Sequence, residues 1–461
     1  MNTSINFNEK KGFICDMDGV IYHGNRVLPG VAEFIQWLHE EKKEYLFLTN
    51  NSGYTPRELH QKLERRIPVA PLELIVLPSA EALGKEVNDY LVSFRKHYDN
   101  VAKTDTAFEG YVRDDYRMHA ECVRFGTGEG KGVIVDSCRG KDIFILTDVT
   151  NHSLTYKMNG FINHMSPDDH FQDLKRIVAA INGKASRISV IMPFLYEGRQ
   201  HKRSGRESLD AANMFRELVD LGVKNFITFD AHDPRIQNVA PLANFDNFIS
   251  PYQFLRAIIH AFPDVILDKE HFVVISPDEG ALDRAVYFAG VISADTGMFY
   301  KRRDYSRIVN GKNPIVAHEF LGSDLAGKDV IVMDDMISSG GSILDTARQL
   351  KKMNAGRVFL CATFGLFTDG LESFDKAYEQ GDFDLVITSN LTWQPEELQD
   401  RPWFSSAGMG KYLANIIDFF NHDASISDMT TSTTKIHELL AKFNKNEQTE
   451  FEKMELENTD F

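Results

Sequence analysis

Apolar positions along most of the chain follow two alternating patterns, short β-branched runs and longer segments with helical spacing. The runs are typical of buried strands, and each is followed by an amphipathic segment. Such alternation favours parallel sheets flanked by helices, so the sequence predicts an α/β fold. The strand-like runs lie at 72–78, 132–137, 142–148, 186–194, 225–231, 271–277, 330–335, 357–365 and 383–389, and the helical segments at 80–94, 172–181, 207–222, 282–290 and 343–356.

The pattern divides the chain into four parts. Residues 1–66 form a small α/β fragment, and 67–71 read as a linker. Two similar α/β domains follow, at 72–248 and 249–428. The last part, 429–461, is polar and acidic; it holds one short amphipathic helix, KIHELLAKF, before an end predicted to be solvated or disordered.

Composition narrows the class of protein. The chain has 461 residues, 43% hydrophobic and 26% charged, as expected of a globular protein of about three domains. A net charge of −16 argues against a nucleic-acid binder, and no apolar run is long enough for a membrane span or a signal peptide. Four cysteines without metal-ligand spacing favour a reducing cytoplasm and no zinc site: Cys15, Cys122, Cys138 and Cys361.

The segment 330–342, VIVMDDMISSGGS, carries the clearest chemistry. A buried run ends at the carboxylates Asp334 and Asp335, and a loop of small residues leads into a helix predicted to end at Gly356. Backbone N–H groups of such a loop can surround a phosphate, and the carboxylates can bind hydroxyls or a metal. A sugar 5-phosphate can bind to both groups, its phosphate to the loop and its hydroxyls to the carboxylates. The loop comprises Ser338, Ser339, Gly340, Gly341 and Ser342.

This segment resembles the phosphoribosyl diphosphate loop of type I phosphoribosyltransferases, in the form found in ribose-phosphate diphosphokinases (PRPP synthetases). The resemblance extends over residues 72–428 and implies two tandem phosphoribosyltransferase-type domains. It assigns the ribose hydroxyls to Asp334 and Asp335 and the 5-phosphate to residues 338–342.

Two further motifs resemble the ATP contacts of that family. In VRFGTGEGKG, the resemblance sets Phe125 and Glu129 against adenine, across a subunit boundary. The glycine string there lacks Walker A spacing. In EGRQHKR, Arg199 and Gln200 resemble the family's Arg-Gln-Asp-Arg-Lys loop, with His201 replacing the usual Asp. Guanidinium forks suit polyphosphate.

Four other residues complete the implied site. His232, after the strand 225–231, resembles a histidine that holds the magnesium on ATP, although Mg²⁺ prefers oxygen ligands. Asp278 resembles a carboxylate of the Mg²⁺ and ribose site, and the nearby Arg284 reads as structural. Lys301 and Arg303 resemble a catalytic Lys-x-Arg pair, and residues two apart in an extended segment share a face.

The N-terminal fragment carries a different resemblance. DMDGVIYHG and FLTNNSG resemble the first two motifs of the haloacid dehalogenase superfamily, through Asp16, Asp18, Thr49 and Asn50. The later lysine and acidic magnesium motif of complete enzymes are not found in suitable places. The fragment is therefore interpreted as an inactive phosphatase remnant.

The resemblances predict a Mg²⁺-dependent enzyme that transfers the diphosphoryl group of ATP to the C1 hydroxyl of ribose 5-phosphate. They also imply a homo-oligomer built from dimers, possibly a hexamer. Three alternatives stay open: a non-catalytic regulatory paralogue, a bifunctional protein with residual phosphatase activity, and a transferase that consumes PRPP.

Overall fold

The structure is a computed structural model. It describes residues 11–16, 22–23, 26–27, 30–48, 69–101, 111–203, 205–239, 243–303, 315–426 and 432–444. Within these ranges, the side chains of residues 14–16, 22–23, 26–27, 32, 46–48, 97–101, 301–303, 315–318, 442 and 444 are outside this description. No described helix is long and apolar enough to cross a membrane.

The described part of the N-terminal fragment contains a two-stranded parallel sheet and one α-helix. Its core is aromatic: the ring of Phe13 makes edge contacts with Phe34 at 5.8 Å and Trp37 at 5.6 Å. These contacts hold the helix on the strands. The described elements are β1 (Gly12–Asp16), β2 (Tyr22–His23), β3 (Arg26–Val27), α1 (Val31–Glu40) and β4 (Glu44–Leu48).

A five-stranded parallel sheet follows, in the order β13-β12-β11-β8-β5. Its strands other than the edge strand β13 are largely buried on both faces, which explains their mostly apolar runs. Its strands are β5 (Leu72–Val76), β8 (Asp142–Leu146), β11 (Arg187–Ile191), β12 (Asn225–Phe229) and β13 (Asn244–Phe248), and the intervening helices are α2 (Glu81–Val101), α3 (Pro167–Ile181) and α4 (Asp210–Asp220).

Two hairpins lie in the described part of the first domain, and the sequence analysis predicted one strand of the first and neither strand of the second. The first joins β6 (Ala120–Arg124) to β7 (Gly130–Ile134), and the second joins β9 (Thr155–Met158) to β10 (Phe161–His164). The turn of the second is Asn159-Gly160, and both residues have positive φ, 49° and 89°. Asn-Gly between two short runs is a strong hairpin signal, so this hairpin was predictable.

The second domain contains a seven-stranded sheet in the order β16-β15-β14-β17-β18-β19-β20. All its strand pairs are parallel except β15 with β16, so the prediction of parallel sheets is wrong at this edge. The strands are β14 (Phe272–Ser276), β15 (Asp295–Arg303), β16 (Ile315–Leu321), β17 (Asp329–Ile337), β18 (Val358–Gly365), β19 (Leu385–Ser389) and β20 (Phe404–Ala407). The helices are α5 (Pro251–Ala261), α6 (Leu282–Ile292), α7 (Gly341–Lys352), α8 (Glu372–Glu379), α9 (Glu396–Gln399), α10 (Gly410–Asn421) and α11 (Thr433–Asn444).

Helix α10 follows the second sheet in sequence but packs on the first. Leu413 and Ile417 are fully buried in a core that also contains Phe144 of β8 and Leu91 of α2. The buried guanidinium of Arg95 in α2 bonds Asp418 of α10 at 3.1 Å. The two domains are therefore joined by core packing as well as by the chain.

Helix α11 contains the predicted amphipathic segment. Ile436 and Leu439 are buried in the same core as helices α5 and α6. The acidic residues after 444 are outside the described part of the chain.

Asp246 on the edge strand β13 is expected to weaken folding at neutral pH. Burial raises its pKa from 3.8 to about 6. The folded state then binds the proton more tightly than the unfolded state, so this group lowers stability as pH rises through the interval from about 4 to about 6. Asp246→Asn should therefore raise the free energy of unfolding at pH 8 by about 2–3 kcal/mol. Urea unfolding at pH 5 and pH 8 measures this.

The gain should be smaller at pH 5, because part of the native carboxyl is then protonated. Asp220→Asn, at an exposed site, is the matched control and should change stability little at either pH. Equal gains for Asp246→Asn at both pH values would contradict the charge-burial explanation.

Candidate active site

The carboxyl ends of β12 and β17, which belong to different sheets, come together in the structure. His232 follows β12, and its Nδ1 lies 2.7 Å from Oδ2 of Asp335 in β17, a hydrogen bond donated to the carboxylate. These residues are 103 positions apart in the sequence. The pair joins a residue assigned to ATP with one assigned to ribose 5-phosphate.

Asp230 anchors the same junction, and the sequence analysis gave it no role. Its carboxylate accepts hydrogen bonds from Arg284 Nε at 2.7 Å and from the hydroxyl of Thr363 at 2.8 Å. Asp230 is buried and its φ is 40°, an unusual value for a non-glycine residue. Burial raises the pKa of its carboxyl, and the charge of Arg284 opposes that rise. The interpretation of Arg284 as structural agrees with this contact.

The acidic pair of β17 has two unequal carboxyls. Burial raises the pKa of Asp334, and the neighbouring charges of Asp335 and Asp278 raise it further. For Asp335, burial also acts upward, but the hydrogen bond from His232 and the charge of Arg284 outweigh it, so its pKa is lowered. The two carboxyls therefore have opposite pKa shifts, and a cation beside Asp334 would oppose the rise in its pKa.

The small-residue loop leads directly into helix α7. Gly340 is the N-cap with φ 85°, and the helix begins at Gly341 rather than at Ile343 as predicted. Its last residue is Lys352, so the predicted stop at Gly356 is also wrong. Gly356 instead approaches Asp329 and the chain before it, where a Cβ would come within 2.9 Å of the carboxylate. Ser338, Ser339, Gly341 and Ser342 thus lie around a helix N-terminus, where backbone N–H groups favour anions.

Gly340→Ala is expected to destabilise the loop for two reasons. Its positive φ disfavours a Cβ, and that Cβ would collide with the ring of Phe374. The free energy of unfolding should fall by about 1–3 kcal/mol. Gly341→Ala is the matched control, because the nearest atom to its Cβ would be Ser339 Oγ at 4.0 Å. Urea unfolding of both variants measures the difference, and equal losses would contradict the φ argument.

A cavity of about 420 Å³ opens beside the His232–Asp335 pair. Arg199, Gln200 and His232 contribute to its wall, so three residues predicted to contact ATP are brought together. Its apolar side comes from both domains: the rings of Phe194 and Phe364 make an edge contact at 5.1 Å. The size and the mixed lining suit a small polar ligand with a flat apolar part.

Phe125 and Glu129 lie on the β6–β7 hairpin and are not among the described lining residues of this cavity. The ring of Phe125 is 50% exposed, and the hydroxyl of Thr127 bonds the Glu129 carboxylate at 2.9 Å. Gly130 and Gly132 allow the hairpin to pack closely on its neighbour. A Cβ on Gly130 or Gly132 would collide with Arg176 of α3. The predicted adenine contact stays a prediction.

Asp278 and the predicted catalytic pair lie on adjacent strands. Asp278 follows β14, and its carboxylate accepts a hydrogen bond from the N–H of Gly280 at 3.0 Å. Lys301 and Arg303 are near the end of β15, which pairs with β14, and the register against β16 shifts between Arg302 and Arg303. The side chains of Lys301 and Arg303 lie outside the described residues, so their shared face stays a prediction.

Part of the phosphatase-like motif of the N-terminal fragment lies on described strands. Strands β1 and β4 are parallel neighbours, with Asp16 paired to Leu48, so the two motifs follow the same edge of a sheet. Asp18, Thr49 and Asn50 lie outside the described residues, as does the side chain of Asp16. Among the described residues, no group of three or more His, Cys, Asp or Glu side chains has metal-holding geometry.

The fold and the loop at 334–342 define a protein of the phosphoribosyltransferase class. Residues 250–380 match the family model of the phosphoribosyl transferase domain, and residues 72–222 match that of the N-terminal domain of ribose phosphate pyrophosphokinase. The ribose-phosphate pyrophosphokinase of Corynebacterium efficiens is 31% identical over 279 residues, which cover 59% of this chain and 76% of that protein. The chain belongs to the ribose-phosphate pyrophosphokinase family.

One further relative agrees with this assignment, and one solved structure shares the fold. The ribose-phosphate pyrophosphokinase of Pasteurella multocida is 29% identical over 314 residues, 67% of this chain and 90% of that protein. The crystal structure of phosphoribosylpyrophosphate synthetase from Mycobacterium smegmatis is similar in fold, with a TM-score of 0.59 and 22% identity over 77% of this chain and 99% of that one. The predicted α/β fold with two phosphoribosyltransferase-type domains is confirmed.

The N-terminal resemblance is also confirmed. Residues 13–100 match the family model of haloacid dehalogenase-like hydrolase. This match overlaps the ribose phosphate pyrophosphokinase match from residue 72 onward. In the structure, β5 at the start of the overlap pairs with β8 in the five-stranded sheet. The overlapping stretch therefore forms part of the first large domain.

Proposed function

We propose that the protein transfers the β,γ-diphosphoryl group of ATP to the C1 hydroxyl of ribose 5-phosphate, yielding PRPP and AMP. The observation that carries this proposal is the 2.7 Å contact between His232 and Asp335 beside the cavity. The contact brings together the carboxyl ends of strands from two different sheets. A reaction between two phosphorylated substrates needs their two binding sites held in a fixed relative position.

The proposed ATP side is the cavity between the domains. Arg199 and Gln200 supply side chains suited to polyphosphate and purine edges. Phe125 would stack on adenine and Glu129 would accept from its amino group, both from a neighbouring copy of the chain. The exposure of Phe125 supports a role outside the core of its own subunit.

The proposed acceptor side is the end of β17. Backbone N–H groups of residues 338–342 would hold the 5-phosphate, supported by the helix N-terminus at Gly341. Asp334 and Asp335 would hold the ribose hydroxyls. Because phosphoryl transfer depends on positioning and charge neutralisation, Lys301 and Arg303 would meet the charge that develops on the transferred group.

We propose Mg²⁺ as the cofactor. The carboxylates of Asp278 and Asp334 are the oxygen donors that Mg²⁺ prefers, and the raised pKa of Asp334 indicates a site that a cation would relieve. These groups fit the ion better than the imidazole of His232, whose Nδ1 already bonds Asp335. When bound, Mg²⁺ neutralises charge on the phosphates.

The proposal includes a homo-oligomer, dimer-based and possibly hexameric, in the cytoplasm, with neither nucleic acid nor membrane as partner. The thiols of Cys122, Cys138 and Cys361 are free, which is consistent with a reducing compartment.

AMP release tests the proposal. We expect purified protein to release AMP from ATP only when Mg²⁺ and ribose 5-phosphate are both present. Ribose without the phosphate is the matched control and should not replace ribose 5-phosphate. No AMP release alone, but stimulation of an active synthetase, would favour the regulatory alternative instead. Consumption of PRPP with a free base would favour the transferase alternative.

For the N-terminal fragment we propose an inactive remnant of a phosphatase. The family match and the parallel β1–β4 pair support the ancestry, and the missing later motifs support the loss of activity. Phosphatase assays on the whole chain should therefore give equal background rates for the wild type and Asp16→Asn. Turnover that disappears in Asp16→Asn would support the bifunctional alternative.

A further inference from the structure

Two loops of the cavity touch through one histidine and one aspartate. Nε2 of His201 lies 3.0 Å from Oδ2 of Asp233. His201 directly follows Gly198-Arg199-Gln200 in the sequence, and Asp233 directly follows His232. The contact therefore joins the loop with the proposed ATP-binding side chains to the loop with the histidine of the domain junction.

Both side chains are nearly buried, 10% exposed for His201 and 11% for Asp233. Nε2 of His201 has no hydrogen-bond partner among the described residues, so its contact with Asp233 is close packing of the two side chains rather than a hydrogen bond. Nδ1 of His201 lies 3.3 Å from the carbonyl oxygen of Gly198, which fixes the ring on its own loop. Its centroid is 6.1 Å from that of the His232 ring.

Asp233 is held in place from the other side. Its carboxylate accepts hydrogen bonds from the guanidinium of Arg235, from Nη2 at 2.5 Å and from Nε at 2.9 Å. The Arg235 side chain is 77% exposed to solvent, whereas the side chain of His201 is nearly buried. A carboxylate at position 201, as in the family's loop pattern, would face the buried charge of Asp233.

We propose that His201 is a positioning residue, which sets Arg199 and Gln200 relative to His232 through its contact with Asp233. Its role would be to shape the ATP side of the cavity without touching the ribose 5-phosphate side. This inference rests on the proposed function for its choice of substrates. The histidine at position 201, where the family pattern has Asp, then avoids placing a second carboxylate beside Asp233.

Charge reversal at position 201 tests the role. In His201→Asp, two carboxylates face each other, so we expect the Kd for ATP and the KM for ATP to rise about tenfold, with the KM for ribose 5-phosphate within about twofold. His201→Asn removes the contact without repulsion and should give a smaller change. The double variant His201→Asp, Asp233→Asn should bind ATP within about threefold of Asp233→Asn alone.

His271→Asp is the matched control. His271 pairs with Asp268 at 2.8 Å, but this pair lies before β14, at the amino end of the sheet. This variant places two carboxylates beside each other at a more exposed site away from the cavity and should leave both KM values unchanged. Calorimetric titration with ATP, without ribose 5-phosphate, gives a readout that does not depend on turnover.

The outcomes separate the two proposals. An unchanged Kd for ATP in His201→Asp, an equal rise in both KM values, or no recovery in the double variant would overturn the positioning role. Intact ATP binding without AMP release in the wild type would instead reject the proposed function alone. Selective loss of ATP affinity with recovery in the double variant would support the role of His201.

Discussion

Asp335→Asn is expected to lower kcat/KM for AMP release by at least about 100-fold, because it removes the charge that holds His232 and faces Arg284. Its local signature is a fall in the pKa of His232. The hydrogen bond to Asp335 is the main cause that raises this pKa, so in the variant the imidazole should lose its proton at lower pH. Steady-state kinetics and an NMR titration of His232 measure the two effects.

Asp329→Asn is the matched control for this variant. Asp329 begins the same strand at its opposite end, where its carboxylate bonds Arg357 at 2.6 Å. Breaking that ion pair should lower the Tm while leaving turnover per folded molecule near the wild-type value. If Asp335→Asn kept wild-type turnover and an unchanged His232 pKa, the assigned role of the junction would be wrong.

Lys301→Ala should lower kcat by some hundreds-fold, equivalent to about 3–4 kcal/mol of barrier, because a cation that meets charge in the transition state is lost. Binding of ribose 5-phosphate should be nearly intact, since the 5-phosphate is assigned to residues 338–342. The measurement is kcat together with the KM for ribose 5-phosphate.

Arg302→Ala is the neighbouring control on the same strand. Successive side chains of a strand point to opposite faces, so this cation should not face the substrate. Its turnover should stay within about threefold of the wild type. Wild-type turnover in Lys301→Ala, or an equal loss in Arg302→Ala, would reject Lys301 as a catalytic residue.

Local sequence was sufficient for the buried parallel strands. Residues 142–146 are apolar after the first position and fully enclosed, because Ile143 and Ile145 face one core and Phe144 and Leu146 face the other. A strand that is buried on both faces has a nearly continuous apolar run, so its sequence alone identifies it. The β9–β10 hairpin escaped because its four-residue strands are largely exposed, although Asn159-Gly160 was a usable signal.

The candidate site was predictable as a list of positions, and less so as an arrangement. Asp334, Asp335 and the loop after them stand together in the sequence, and a local motif could identify them. The bond from His232 to Asp335, the triad of Asp230, Arg284 and Thr363, and the His201–Asp233 contact join residues far apart in the chain. Periodicity carries no information about such pairs.

Local sequence was enough for the α/β class, the buried parallel strands and the chemistry available at their ends, because these depend on contacts between near neighbours. The tertiary structure was needed to show which strand ends face each other, that α10 packs on the first sheet, and that the pKa shifts of Asp334 and Asp335 have opposite directions. These follow from burial and from charges brought close by packing, and both depend on the whole folded chain.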